Sequence, residues 1–143
     1  MAEYVYNPIQ EVEDGQNVLL QDSIPCNRGY VIHRNGSGIL TLRGIVNNPC
    51  AKFARYKVEF NGNIAIPTGS TAGEISLALT IDGEPIQTSR ARVTPTATNA
   101  YFNVTSVANI TVPAGCCLTI SIENTSGVSI NVQNANLTVD RTA

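Results

Sequence analysis

The chain has 143 residues, of which 43% are apolar and only 14% charged, with a formal net charge of −2. That length suits one domain, burying about 68–70% of its unfolded surface on folding. Charged residues fall well short of the ~25% of an average globular chain, and there is no basic excess, so a nucleic-acid partner is not expected. No apolar run is long enough to cross a membrane, so no membrane partner is expected either. The start, Met1-Ala2-Glu3-Tyr4, lacks the basic and apolar regions of a secretory leader.

Residues 1–16 stand apart in composition. Glu3, Glu11, Glu13 and Asp14 are four of the eleven acids, with no base among them, and Pro8 interrupts any long strand. Tyr4, Val5, Tyr6 and Ile9 are apolar anchors, and disordered tails are poor in aromatics. The segment is therefore read as an N-terminal arm that either frays or docks on a partner through those four residues.

Residues 17–143 form the second unit, and period-2 patterns run through it. Residues 17–22, 29–34 and 38–46 are short apolar strands, the last two split by Asn35-Gly36-Ser37-Gly38. In 51–66, Ala54, Tyr56, Val58 and Phe60 share one face, and Gly62 marks a plausible bulge. In 74–82, Ile75, Leu77, Leu79 and Ile81 alternate with small residues. Asp82-Gly83 then predicts a tight hairpin, since Gly accepts the positive φ such turns need. Residues 85–93, with Arg90 and Arg92, read as a charge-protected edge strand. Along 99–112, Phe102, Val104, Ile110 and Val112 share a face. Residues 117–123 carry Leu118, Ile120 and Ile122 inward. In 128–139 the apolar parity switches near Gln133-Asn134, which predicts a one-residue bulge.

No segment has a helical period. Eight or nine strands at this spacing predict an all-β, antiparallel two-sheet sandwich of the jelly-roll kind, with Leu77, Leu79, Phe102 and Ile120 in one core.

The succession ARYKVEFNGNIAIPTG, EISLALTIDGEPI, NITVPAGCCLTISIEN and NANLTVDR resembles the TNF/C1q-like jelly-roll domain. Tyr56, Ile75–Gly83, Val112–Gly115 and Asn136–Arg141 sit at the matching places. Cys116 replaces the family's usual acid after the glycine, so no role is carried to that position. The whole chain, most distinctively IPCNRGYVIHRNGSGILTLRGIVNN, is similar to small virion decoration or head-fibre proteins of phages and prophages of gut Firmicutes. The resemblance implies a homotrimer with an apolar axis, for which Tyr56, Phe60 and Tyr101 are candidates. It also implies a place on the capsid exterior, bound to the major capsid or another virion protein and assembled in the bacterial host cytoplasm.

Chemistry offers little. Cys26, Cys50, Cys116 and Cys117 are read as buried free thiols, with a disulfide or trimer-interface contact and a metal site as alternatives. The spacing disfavours a metal, because adjacent cysteines point to opposite faces of a strand. His33, the only imidazole, lies mid-strand with no nucleophile motif around it. Asp82 and Glu84 flank a turn, where acids serve geometry. Arg28, Arg34, Arg43, Arg55, Arg90 and Arg92 could line an anionic site or pair with acids. Asn35, Asn103, Asn109, Asn124 and Asn136 match Asn-x-Ser/Thr and are read as strand composition. No catalytic residue, cofactor or metal is assigned. The expectation is a non-enzymatic, trimeric phage structural protein. The alternative is a host-receptor or glycan-binding tip of a phage fibre or bacterial surface appendage.

Overall fold

The computed structural model describes residues 2–24, 30–34, 36–44, 50, 52–115 and 117–142, with backbone alone for 22–24. The strands in chain order are β1 (Ala2–Tyr6), β2 (Gln10–Val12), β3 (Asp22–Ile24), β4 (Val31–His33), β5 (Ile39–Leu42) and β6 (Phe53–Ala65). They continue with β7 (Ile75–Ile81), β8 (Glu84–Pro85), β9 (Ala91–Val93), β10 (Phe102–Pro113), β11 (Leu118–Asn124) and β12 (Ile130–Arg141). A 3₁₀ turn, Gln87–Ser89, lies between β8 and β9. Among the described residues there is no α-helix.

Two antiparallel sheets face each other. The first has the order β10-β6-β12-β1-β3, with β2 continuing the line of β1 along β12. The second has the order β4-β5-β11-β7-β8, with β9 continuing the line of β8 along β7. Ala54, Tyr56, Val58, Phe60 and Ile64 of β6 point between the sheets, opposed by Leu77 and Leu79 of β7 and Ile120 and Ile122 of β11 in one core. This is the expected all-β sandwich.

Three irregularities in the sequence turn out to be one feature. β6 runs without a bulge through Gly62, and its register with β10 is continuous. The extra residue belongs to β12, whose register with β6 shifts between Gln133 and Asn136, with Asn134 at φ 56°. That shift changes the buried parity from Ile130 and Val132 to Ala135, Leu137 and Val139. Gly62 lies opposite it for a steric reason: a Cβ there would stand 2.8 Å from Cζ of the buried Phe60 ring. On the other flank, Asn134 N–H donates to Asn7 O, beside the break that Pro8 makes between β1 and β2.

The boundary expected after residue 16 is therefore corrected. Ala2–Tyr6 is a full strand, held between β12 and β3. Tyr4 is only 2% exposed and belongs to the core. Period-2 alternation within residues 2–6 was masked by the acids and by Pro8. Phe102 is also corrected, because it is 41% exposed at the start of an edge strand rather than in the core. The 85–93 strand is broken by the 3₁₀ turn, which Ser89 staples. Its Oγ accepts from Leu79 N–H and donates to Ile86 O.

Asp82 (φ 50°) and Gly83 (φ 87°) form the expected two-residue hairpin. Ser76, Ala78 and Thr80, on the other face of β7, are buried as well. Their hydroxyls are matched: Thr80 Oγ1 meets Ser121 Oγ at 2.5 Å and Ser76 Oγ meets Thr125 Oγ1 at 2.7 Å. Small paired polar groups let this face close without an energetic penalty for unpaired donors.

Because Tyr4 fills the core, Tyr4→Ala is expected to destabilise the protein by about 3–5 kcal/mol, the range for removing a large buried ring. Urea unfolding measures it; a change below about 0.5 kcal/mol would mean that residues 2–6 fray in solution.

Candidate functional site

The residues singled out for chemistry do not converge. The His33 ring packs at 4.7 Å from the Tyr4 ring, and its Nε2 meets Ser37 O at 2.9 Å, so it bridges β1 to the β4–β5 turn. Asp82 Oδ1 accepts from both the N–H and the hydroxyl of Thr119, at 3.0 Å each, and so braces the hairpin. Cys50 and Cys117 are exposed thiols, which corrects the expectation of burial for both. Cys26, Cys116, Arg28 and Asn35 lie outside the described residues. Among the described residues, no group of three His, Cys, Asp or Glu side chains is placed to hold a metal. Arg92 pairs with Glu74 on the second sheet, whereas Arg55 lies on β6 of the first.

Asn124 proves to be a structural hub rather than a surface residue. It is fully buried, donates from Nδ2 to Val12 O (2.9 Å) and Val128 O (2.8 Å), and accepts from Ser126 N–H. It joins β2, the end of β11 and the start of β12, which no local sequence pattern announces. Asn124→Ala strands all three partners, at about 1–3 kcal/mol for each buried group left unpaired. Chemical denaturation is expected to show a loss toward the upper end of that range for one group or beyond it.

What remains are surfaces. The outward side of the first sheet carries amides and hydroxyls in rows. Asn103 Nδ2 donates to Asn61 Oδ1 (2.9 Å) and Asn63 Oδ1 (3.2 Å), and Thr105 Oγ1 donates to Asn61 Oδ1. The register sets Gln133 and Asn136 of β12 beside Asn63 and Asn61. Charges lie further along the same face, with Lys57 and Glu59 paired at 3.1 Å.

The border of that sheet is β10, whose twelve residues, FNVTSVANITVP, include no charged residue. Its one ladder partner among the described strands is β6. Phe102 and Val107, at 41% and 44% exposure, stand on it. Edge strands are ordinarily guarded by charge, by bulges or by shortness, and this one has none of these.

Tyr56 and Phe60 are fully buried between the sheets and are corrected as axis residues. The Tyr56 hydroxyl is spent within the chain, donating to Arg43 O at 2.5 Å. Tyr101 is half-buried just before β10. Of the four anchors read near the N-terminus, Tyr4 is in the core, Val5 and Tyr6 are half-buried in β1, and Ile9 is 53% exposed.

A second distinct region is acidic. Burial first, then Asp14 and Glu84, push the Glu123 carboxyl above its ordinary range. A raised carboxyl pKa means that ionisation opposes folding, so its stability contribution is present at low pH and lost as pH rises through the folded value. Glu123→Gln is therefore expected to raise the unfolding midpoint at pH 7. The gain should disappear below about pH 4, where free glutamate is itself protonated. A gain that persists at pH 3 would contradict the assignment.

No protein-family model matches the chain, and no curated protein matches it. Solved structures do. The globular domain of a zebrafish complement 1qA protein is 16% identical, with a TM-score of 0.61 over 96% of this chain and 94% of that one. Eiger TNF from S. frugiperda is 12% identical, with a TM-score of 0.67 over 100% of this chain and 92% of that one. Murine APRIL is 12% identical, with a TM-score of 0.54 over 92% and 98%. The fold is thus the TNF/C1q-like jelly roll, and at these identities the likeness concerns the fold alone.

Proposed function

We propose that the chain is a non-catalytic structural protein that acts as a homotrimer, a decoration or head-fibre component on the exterior of a phage capsid. The observation that carries the assembly is the uncharged, twelve-residue edge strand β10 with Phe102 and Val107 exposed. Ile9 is exposed on the N-terminal side, beyond β12. Different apolar spots on two borders of one molecule suit a heterologous contact, which gives a ring where the rotation between neighbours closes. A ring of three is what the TNF/C1q-like resemblance implies. The virion role is supported by the resemblance to phage decoration proteins in the sequence.

A second reading, a glycan-binding tip, is favoured by the Asn61–Asn63–Asn103–Thr105 network, since amides and hydroxyls suit sugar hydroxyls. A ring built through β10 would cover part of that face, so the two readings compete for it.

Light scattering and sedimentation at micromolar concentration test the assembly. A species three times the 15.2 kDa chain mass is expected. Val107→Asp, on an exposed site, is expected to leave the monomer folded and dissociate the ring. A wild-type protein found only as monomer would overturn the proposal, and imaging of the source particle locates the protein.

A further inference from the structure

The segment after β1 builds a groove. Gln10 of β2 pairs through its side chain with the backbone of residue 19: Nε2 donates to Leu19 O and Oε1 accepts from Leu19 N–H, both at 2.9 Å. This fixes β2 against residues 16–19 and leaves a cleft of about 310 Å³ lined by Gln10, Glu11, Val12, Glu13, Gln16 and Leu19, among others. Val12 closes the cleft from the core side and is itself only 3% exposed, and Leu19 is 47% exposed on its wall.

The rim is negative. Glu11 and Glu13 line the cleft. Asp14, whose Oδ1 accepts from Gly127 N–H, follows them. Glu123 pairs with Asn17 in an isolated bridge. The ion pairs found among the described residues, Lys57–Glu59 and Arg92–Glu74, involve none of these acids. Residues 1–27 contain no Lys or Arg.

An exposed apolar side chain beside an acidic rim complements one kind of occupant. An extended chain places successive side chains on opposite sides, so alternating basic and apolar residues would set an apolar side chain toward Leu19 and cations toward Glu11 and Glu13. We propose that this groove docks an extended, Lys- or Arg-bearing segment of a partner protein. The proposal deepens the reading above, on which it rests, by stating the chemistry of the surface that meets the virion partner.

The test uses the full-length protein, isotopically labelled, and two acetylated hexapeptides, one alternating lysine with leucine and one alternating glutamate with leucine. The lysine peptide is expected to shift amide resonances of Gln10, Glu11, Glu13, Gln16 and Leu19, and the glutamate peptide is not. Binding should weaken as salt is raised past the screening length of surface charges. The double variant Glu11→Lys, Glu13→Lys, with circular dichroism unchanged, should lose about tenfold in affinity, the scale of a few exposed charge pairs. Equal shifts from both peptides, or shifts confined to other strands, would overturn the groove. If the peptide results hold while the wild-type protein fails to bind the source particle, the virion reading falls and the groove stands. If wild-type protein decorates particles and the double variant decorates them equally, the groove falls and the virion reading stands.

Discussion

The structure turns on the pairing of β12 with its neighbours. This strand has β6 along one side and both β1 and β2 along the other. Its inward residues Ile130, Val132, Ala135, Leu137 and Val139 are buried in the core. A one-residue slip would turn every one of them to the opposite face. The extra residue between Gln133 and Asn136 absorbs the change of parity once, where Gly62 leaves room and Pro8 has already broken the neighbouring strand. Glycine, proline and bulge thus answer one steric problem, with the Phe60 ring lying where a side chain at 62 would be.

Much of this was legible in the residues. Alternation in Ile75–Ile81 and the Asp82-Gly83 turn specified a strand and its hairpin, because large apolar residues toward one layer and small ones toward the other leave a period-2 trace, and a two-residue turn requires positive φ. The parity switch in 128–139 announced the bulge. The first strand was hidden, because five residues with acids nearby read like a tail, and only Leu137 and its neighbours, far along the chain, give Tyr4 its place. Phe102 failed for a related reason: alternation identifies a face but not whether the strand sits at the border of its sheet.

The candidate surfaces were less legible still. Asn61, Asn63 and Asn103 look like scattered polar residues until register sets β6 beside β10. Asn124 resembles its exposed neighbours in type, and only three-dimensional convergence of β2, β11 and β12 makes it a buried hub. Ile9 alone of the N-terminal anchors is well exposed, and Leu19 bounds the acidic groove, held to β2 by the Gln10 side-chain amide, which behaves like one more rung of a ladder. Polar surfaces carry weak sequence signals, because solvent tolerates most residues there and only the fold decides which of them meet.

The order of the strands has a consequence for how the chain is made. β12 sits inside the first sheet, between β6 and β1, yet it follows both of them in the order of synthesis. Until it emerges from the ribosome, β6 and β1 have no shared neighbour, and the first sheet cannot close. Domains dominated by such distant pairings fold slowly, on a scale of about milliseconds to seconds. The nascent chain must carry the bare flank of β6 and the uncharged β10 for the whole of that wait. A high local concentration of identical chains on one polysome would then favour assembly and mispairing alike, which makes the speed at which β12 is delivered a quantity on which yield depends.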